Sequence, residues 1–147
     1  MKIVLPVDMS EVTDFVVQES ISVLKAMGGS VELVHVLQSI PEALIFDESL
    51  SVLPYTYGME EIEADRKKLL ARIKERFLRE EIPCDIVLLD GDPADEILTY
   101  ISQSNCDWVV MGSHGHGALY HLVLGSVSEK VIDKACCPVL VVKKQKK

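Results

Sequence analysis

The sequence predicts an α/β fold, a doubly wound parallel sheet of five strands covered by helices on both faces. Two observations support this prediction: five short apolar runs occur along the 147 residues, and a helical pattern separates each run from the next. Short continuous apolar runs are typical of parallel strands that are buried on both faces. Regular alternation of strands and helices favours a parallel sheet with right-handed crossovers.

The predicted strands are rich in valine, leucine and isoleucine, and they cover Lys2–Val7, Val31–Leu37, Cys84–Asp90, Asp107–Gly112 and Pro138–Lys143. The predicted helices repeat apolar residues every three to four positions, and they cover Ser10–Met27, Met59–Glu80, a segment opening at Asp92 and a segment beginning near Ser126. Gly28 ends the first helix. Asp92 is the expected N-cap of the third helix, with Pro93 in its first turn. No linker or repeat interrupts the pattern, so residues 1–147 are predicted to form one domain.

The connection after the second strand, Gln38–Gly58, has the weakest pattern. A connection of about twenty residues is long, and such segments are usually functional lids or partly disordered. Its large apolar residues need something to cover, either a ligand or another subunit; they are Leu44, Ile45, Phe46, Leu50 and Leu53.

Composition and charge exclude several classes of protein. Apolar residues make up 48% of the chain and charged residues 26%, which excludes disordered and collagen-like chains. No apolar run approaches the roughly 20 residues that cross a bilayer, and the N-terminus lacks the pattern of a signal peptide. The net charge of -8 disfavours nucleic acid and anionic membranes as partners. We therefore expect a cytoplasmic protein.

The four cysteines are predicted to be buried thiols in a reducing compartment. Adjacent cysteines such as Cys136 and Cys137 rarely bridge each other, and neither Cys84 nor Cys106 belongs to a Cys-x2-Cys pair that could hold zinc.

The exit of the fourth strand is rich in glycine. From Met111 the chain reads MGSHGHGALYHLVLGSVSEKVI, with half of its glycines in this segment and a helix beginning at Ser126. Glycine allows a backbone to approach an anion closely, and the free N–H groups of a helix start bind anions. We expect an anion site to which the hydroxyls of Ser126 and Ser128 donate. The alternative from composition alone is a turn followed by an N-capped helix.

The spacing Gly112-x2-Gly115-x9-Gly125-Ser126 resembles the ATP-binding branch of the universal stress protein family. Four other segments are similar to that family in the same order, namely IVLPVDMSE, LVHV, GDPADEI and CPVLVVK. The resemblance spans nearly the whole chain. It implies an adenine nucleotide alpha-hydrolase-like fold with strand order 3-2-1-4-5. It also implies a homodimer and a nucleotide, ATP with Mg²⁺ bound through the phosphates, at the switch between strands one and four.

The resemblance also implies a role for individual residues. It puts Pro6, Val7 and Asp8 beside the ribose and adenine, and Val36 at the adenine edge. It puts Met111, Gly112 and Gly115 beside the ribose and phosphates, and the phosphates themselves on Gly125, Ser126 and Val127.

Two features leave alternatives open. Asp8 suits the ribose hydroxyls or a metal, but with Glu11 three residues later it also resembles a capping box. Gly91 is either a turn residue or a point of close approach to a ligand, and a plain turn is favoured.

The histidines are not predicted to bind a metal. His114, His116 and His121 lack the spacing of metal ligands and are interpreted as polar loop residues. His35 lies in an apolar strand and is interpreted as a satisfied core histidine.

The function expected from this resemblance is regulatory binding of ATP in the stress response, with the nucleotide setting conformation or the choice of protein partner. A slow ATPase or phosphotransferase is the alternative, although no P-loop lysine is present and no arginine or lysine lies between Arg79 and Lys130. No serine has an evident base partner, so no catalytic residue is predicted. A phosphoacceptor receiver is disfavoured because Asp8 is followed by Met9 rather than by a second acid. A scaffold dimer without nucleotide is disfavoured by the retained glycines.

The last strand is wholly apolar and, in the order implied by the resemblance, lies at the edge of the sheet. An uncovered apolar edge promotes aggregation. We expect a second copy of the chain to pair with it through two-fold symmetry, using Val139, Leu140, Val141 and Val142.

Overall fold

The computed structural model describes residues 1–37, 53–113 and 124–143. The elements alternate as predicted, in the order β1 (Lys2–Pro6), α1 (Thr13–Met27), β2 (Ser30–Leu37), α2 (Leu53–Arg79), β3 (Cys84–Asp90), α3 (Pro93–Ser104), β4 (Trp108–Gly112), α4 (Ser126–Lys134) and β5 (Val139–Val142). The predicted strands and the start of the last helix therefore agree with the structure to within one residue at each end. The connection Gln38–Gly58 lies outside the described residues up to residue 52.

The five strands form one parallel sheet in the order β3-β2-β1-β4-β5, which confirms the order implied by the resemblance. β1 pairs with β2 on one side, where Ile3 lies beside Val31, and with β4 on the other, where Ile3 lies beside Trp108. All carboxyl ends therefore meet at one edge of the sheet. Because the chain leaves β1 toward β2 and reaches β4 only after β3, that edge has a topological switch point between β1 and β4.

Two separate apolar cores cover the two faces of the sheet. Alternate strand residues such as Leu5 and Leu33 pack against α1 and α2, with Phe77 of α2 fully buried among them. The residues between them, such as Val4 and Val34, pack against α3 and α4. Helices on both faces explain why the central strands are continuous apolar runs.

The predicted start of α1 at Ser10 is wrong, because the helix begins at Thr13 with Val12 as N-cap. Asp8 accepts hydrogen bonds from the Ser10 backbone N–H at 3.0 Å and from Thr13 Oγ1 at 3.4 Å. These bonds stabilise a turn before the helix, in which Met9 has a φ of 62°. The capping-box alternative for Asp8 is therefore also wrong.

The predicted start of α2 at Met59 is wrong too, because the helix begins at Leu53. Pro54 stands in its first turn, where the fixed φ of proline suits a helix start and no N–H is needed. This signal was present in the sequence inside the segment predicted as a connection.

The prediction of five buried strands holds for the centre of the sheet only. Along β3 buried or half-buried residues alternate with exposed ones, and Leu88 is 37% exposed, because β3 is an edge strand that α2 and α3 only partly cover. The prediction of four buried thiols also fails: Cys84 is buried and Cys136 is exposed, while Cys106 and Cys137 are half-buried.

Candidate functional site

The carboxyl ends of β1, β2 and β4 surround a pocket of about 550 Å³. It extends over both faces of the sheet. Val12, Thr13 and Val16 of the α1 side line one half, and Ile97, Val127 and Ser128 of the α3 and α4 side line the other. The pocket thus lies at the topological switch point, where open α/β sheets bind ligands.

Most of the predicted site residues lie in the lining of this one pocket. Those that line it are Pro6, Val7, Asp8, Val36, Met111, Gly112 and Val127. Gly125 and Ser126 are described but do not line it, although they directly precede Val127. Gly115 lies outside the described residues. The structure therefore brings together residues from four separate elements or their exits, while their roles in binding stay predictions.

The end of β1 is held rigidly at the mouth of the pocket. The Val7 backbone N–H donates to the Val34 carbonyl oxygen at 2.9 Å, and the Val7 carbonyl oxygen accepts a hydrogen bond from His35 Nδ1 at 2.8 Å. Asp8 follows directly, exposed, with Oδ1 bound to Ser10 and Thr13 as described above. These two bonds orient the carboxylate at the pocket, and a carboxylate can accept hydrogen bonds at both of its oxygens.

The start of α4 has no side-chain cap. Its N-cap is Gly125, with an extended backbone at φ -64°, and within the described residues this cap makes no side-chain hydrogen bond to the first turn. The Gly125 N–H donates to the Ser113 carbonyl oxygen at 2.9 Å, which fixes the helix start beside the end of β4. The first N–H groups of any helix have no partner within the helix. This start therefore offers N–H donors and the positive end of the helix dipole at the pocket.

The expectation that the Ser128 hydroxyl donates to phosphate is wrong. Its Oγ is buried and donates instead to the Gly112 carbonyl oxygen at 2.9 Å. The bond ties the first turn of α4 to the last residue of β4. Ser128 is thus a positioning residue, and Ser126, which is exposed, keeps the predicted role.

His35 is only half satisfied, in contrast to the satisfied core histidine expected from the sequence. The side chain is 5% exposed and lines the pocket. Because Nδ1 donates to a carbonyl, Nε2 carries the lone pair, and it has no hydrogen-bond partner in the described part of the chain. Burial lowers the pKa of His35 below its ordinary value, and the nearby Arg66 guanidinium lowers it further, while the Val7 carbonyl and Asp8 oppose the shift.

Arg66 is a pocket residue that sequence reasoning missed. Arg66 lies on α2, outside the cation-free stretch between Arg79 and Lys130, and lines the pocket from the face of the sheet opposite α4. A signal was available. Arg66 precedes the buried Leu70, Ile73 and Phe77 at helical spacing, so it continues the face of α2 that packs on the sheet.

Gly91 is described and does not line the pocket. Gly91 has a φ of 136° and its N–H donates to the Leu37 carbonyl oxygen at 3.0 Å, so it is a turn glycine, as the sequence favoured. The loop histidines His114, His116 and His121 lie outside the described residues. Within the ranges 1–37, 53–113 and 124–143, no group of three or more histidine, cysteine or acidic side chains has the arrangement of a metal site.

Comparison with known proteins decides the family. The model of the universal stress protein family matches residues 1–143. The chain belongs to the universal stress protein family. Two relatives from Methanocaldococcus jannaschii, Universal stress protein MJ0531 and Universal stress protein MJ0577, are each 32% identical to it; the alignments cover 99% and 98% of this chain and 84% and 95% of the relatives.

Solved structures agree with the assignment of this chain to the universal stress protein family. The MJ0577 structure superposes with a TM-score of 0.82 at 28% identity and covers 99% of this chain and 97% of its own. A family member from Arabidopsis thaliana with AMP bound has a TM-score of 0.71 at 19% identity, covering 99% and 92%. A universal stress protein in complex with cAMP has a TM-score of 0.65 at 17% identity, covering 97% and 95%. The last two share the fold.

Among the residues described, no helix of this universal stress protein is long and apolar enough to cross a membrane.

Proposed function

We propose that this universal stress protein binds ATP, with Mg²⁺ held through the phosphates, and that the bound nucleotide regulates its conformation or its choice of protein partner. The observation that carries the proposal is the pocket at the switch between β1 and β4, which is lined by Val127 and Ser128 in the first turn of α4, close to the Gly125 N-cap. A helix start without a carboxylate at its N-cap is suited to an anionic ligand. Two solved structures of universal stress proteins, one with AMP bound and one in complex with cAMP, support an adenine nucleotide as the ligand.

In the proposed complex different parts of the pocket contact the adenine, the ribose and the phosphates. Val36 at the end of β2 offers backbone hydrogen bonds to the adenine edge, and the Asp8 carboxylate accepts hydrogen bonds from the ribose hydroxyls. Gly112 and the first turn of α4, Gly125 to Val127, hold the phosphates through backbone N–H groups. Met111 is buried and apolar, so it packs against the nucleotide from the β4 side. Mg²⁺ supplies charge neutralisation between the phosphate oxygens when it is bound.

The identity of the ligand can be tested on freshly purified protein. The protein is denatured, and the released small molecules are identified by mass spectrometry. We expect ATP or a product of it in a stoichiometric amount, because a site of this kind retains its ligand through purification when binding is tight. For protein isolated empty, equilibrium binding of MgATP replaces this test. A different class of ligand, or no binding of MgATP, would overturn the proposal.

One observation favours keeping the second candidate function, slow ATP hydrolysis. Arg66 places a guanidinium in the pocket lining, and phosphoryl transfer depends on cations that stabilise charge in the transition state. A single-turnover measurement of ATP decay separates the two functions. Decay that is faster than in buffer and is lost in Arg66→Gln supports hydrolysis, while unchanged ATP supports a purely regulatory ligand.

We also propose that the protein is a cytoplasmic homodimer of single-domain subunits, paired through β5. β5 forms one edge of the sheet. The backbone groups on its side facing β4 are hydrogen-bonded: the Val109 N–H donates to the Pro138 carbonyl oxygen, and the Ser113 N–H donates to the Val142 carbonyl oxygen. By the alternation of a parallel ladder, the N–H and C=O groups of Val139 and Val141 point away from β4. These outward groups are free to pair with the same strand of a second copy.

Sedimentation tests the dimer. Val141→Pro removes an outward N–H without removing a bond to β4, so we expect a shift from dimer to monomer or aggregate. Val141→Thr keeps the N–H and the β-branched shape and serves as the matched control, which is expected to stay dimeric. A wild-type protein that sediments as a monomer at micromolar concentration would contradict the dimer.

A further inference from the structure

Cys106 and Cys137 bring their sulfur atoms within 3.4 Å of each other, although 31 positions separate them in the sequence. Cys106 lies just before β4 and Cys137 just before β5, so the pair stands at the amino ends of these strands. The pocket opens at the carboxyl ends. The pair therefore lies at the opposite edge of the sheet and is independent of the proposed nucleotide site.

The backbone around the pair is fixed by hydrogen bonds between elements. The Asp107 N–H donates to the Lys2 carbonyl oxygen at 2.8 Å, and the Val109 N–H donates to the Pro138 carbonyl oxygen at 2.9 Å. The turns before β4 and before β5 are thus held side by side in the folded protein. A disulfide needs the sulfurs to close from 3.4 Å to about 2.05 Å, a change within reach of side-chain rotation and a small backbone adjustment.

We propose that Cys106 and Cys137 form an intrachain disulfide when the protein meets a small-molecule disulfide such as oxidised glutathione. The Cys106 thiolate attacks one sulfur of the oxidant, forming a mixed disulfide and releasing one small thiolate. The Cys137 thiol then loses its proton to solvent and its sulfur attacks the Cys106 sulfur, expelling the second small thiol. Two cysteine thiols are oxidised to one disulfide, and the small disulfide is reduced to two thiols.

The surroundings of the two sulfurs give them different roles. Burial, together with the adjacent sulfurs of Cys106 and Cys136, raises the pKa of Cys137 to about 12. Because the thiolate is the attacking form, Cys137 is not the first nucleophile and acts in the second, intramolecular step, where it is already in place. Cys136 is exposed and adjacent, and it is the thiol that competes for the oxidant.

The proposed bond would close a loop that contains β4, the glycine-rich segment and α4. Crosslinking the ends of a loop reduces the conformational freedom of the unfolded chain and so stabilises the folded one. We expect the oxidised protein to unfold at a higher temperature than the reduced protein. Fourteen of the eighteen residues that line the pocket lie outside this loop, and the two cysteines lie at the opposite edge of the sheet, so the bond itself does not occupy the nucleotide site.

The experiment incubates the native, full-length protein with oxidised glutathione, blocks free thiols and maps disulfides by mass spectrometry of proteolytic peptides. We expect the loss of two hydrogen atoms from the intact mass and a crosslinked peptide pair containing Cys106 and Cys137. The same protein oxidised in denaturant is the control, and it should give mixed pairings. Cys136→Ser should still form the bond, and Cys84→Ser should behave as wild type because Cys84 is 4% exposed and on the other half of the sheet.

Two results would overturn the proposal. One is a wild-type protein that keeps all four thiols or carries only glutathione adducts after native oxidation. The other is a map in which Cys106 pairs with Cys136, or in which Cys136 links two copies of the chain. Cys106→Ser and Cys137→Ser, each checked for native circular dichroism, should lose the intrachain bond and the increase in unfolding temperature together; the wild-type map carries the test without them.

Discussion

Two neighbouring helices, α3 and α4, begin at the same edge of the sheet on the same face, yet their first turns are built in opposite ways. α3 has Asp92 as its N-cap, whose Oδ1 accepts from the N–H groups of Ala94 at 3.1 Å and Asp95 at 3.0 Å, with Pro93 in the first turn. α4 has Gly125 as its N-cap and, in the part of the chain that the structure describes, no side-chain cap. The Asp92 carboxylate thus accepts from the first N–H groups of α3, whereas the N-cap of α4 has no side chain that could do so.

This difference separates stability from function. The hydrogen bond from the Asp95 N–H holds the pKa of Asp92 below its ordinary value, and Lys130 of α4 adds to this, so the carboxylate stays ionised on its own helix. Lys130 Nζ also lies 2.7 Å from Asp95 Oδ1, which connects the two helices. Glycine at an N-cap costs only about a few tenths of a kcal/mol relative to a good cap. α4 tolerates that cost at the pocket, where a ligand phosphate can take the place of the missing cap.

The largest expected effect comes from giving α4 the cap that α3 already has. Gly125→Asp puts a carboxylate on the N–H groups that we assign to the phosphates. The backbone at Gly125, with φ -64° and ψ 150°, is open to any residue. We expect MgATP affinity to fall by about hundredfold or more, roughly 2.7 kcal/mol, in a calorimetric titration.

Gly125→Asn is the matched control, because it offers the same hydrogen bond without the charge. It should lose less affinity than the aspartate variant. Both variants should unfold within a few tenths of a kcal/mol of wild type, since glycine and these caps differ little at this position. Equal MgATP affinity in Gly125→Asp and wild type would show that the phosphates do not bind at the start of α4.

A smaller effect is expected from the loop that precedes α4. Gly115→Val removes the close backbone approach and the conformational freedom that the motif implies at this position, which lies outside the described residues. We expect at least a tenfold loss of nucleotide affinity, about 1.4 kcal/mol, measured by the same titration. Gly117→Val, two residues away and outside the motif, is the control. A Gly115→Val protein that binds ATP as wild type does would contradict the phosphate-loop assignment.

At the other helix the opposite result is expected. Asp92→Ala removes the cap of α3, so the midpoint of urea unfolding should fall while MgATP affinity stays as in wild type. Asp92→Asn should keep most of the stability, because asparagine caps as well. Since the folded pKa of Asp92 lies below its ordinary value of 3.8, the stabilisation is present at neutral pH and is lost as pH falls through that lower pKa. A loss of nucleotide affinity in Asp92→Ala would erase the contrast between the two helices.

The smallest expected effect concerns His35, where a satisfied and an unsatisfied nitrogen occur in one ring. Burial lowers its folded pKa below the ordinary 6.5, so the unfolded chain takes up a proton first as pH falls. Stability should therefore be full above pH 6.5 and decline as the pH falls from there toward the folded pKa. Urea unfolding at about pH 7.5 and about pH 5.5 measures this decline. His35→Gln should show a smaller decline than wild type; an equal decline would assign the effect to other groups.

The fold was predictable because each strand and helix has a strong local signal. The apolar run Cys84–Asp90 and the Asp92-Pro93 pair were placed correctly from sequence alone. The errors came where a side chain overrides the local pattern. Asp8 draws Ser10 and Thr13 into a turn and delays α1, and the proline that opens α2 was hidden inside a segment without a clear period.

The pocket was predictable in outline because its residues follow strand ends, and parallel strands end together. The contacts that were not predicted from the sequence involve residues from other parts of the fold. Arg66 comes from the middle of α2, and Ser128 is committed to the Gly112 carbonyl by packing between α4 and β4. The contact of Cys106 with Cys137 depends on the β4–β5 pairing, which places two distant turns side by side. Helical spacing could have placed Arg66 on the packed face of α2, but its position at the pocket and the other two contacts depend on how the elements pack in three dimensions.

The central claim is that the uncapped start of α4 binds the phosphates of an adenine nucleotide. The most direct test compares MgATP with adenosine, which has the same base and ribose but no phosphate, in calorimetric titrations of nucleotide-free wild-type protein. We expect MgATP to bind at least about tenfold more tightly, because only it can use the N–H groups of α4. Equal affinity for adenosine and MgATP would show that the helix start takes no part in binding and would contradict the claim.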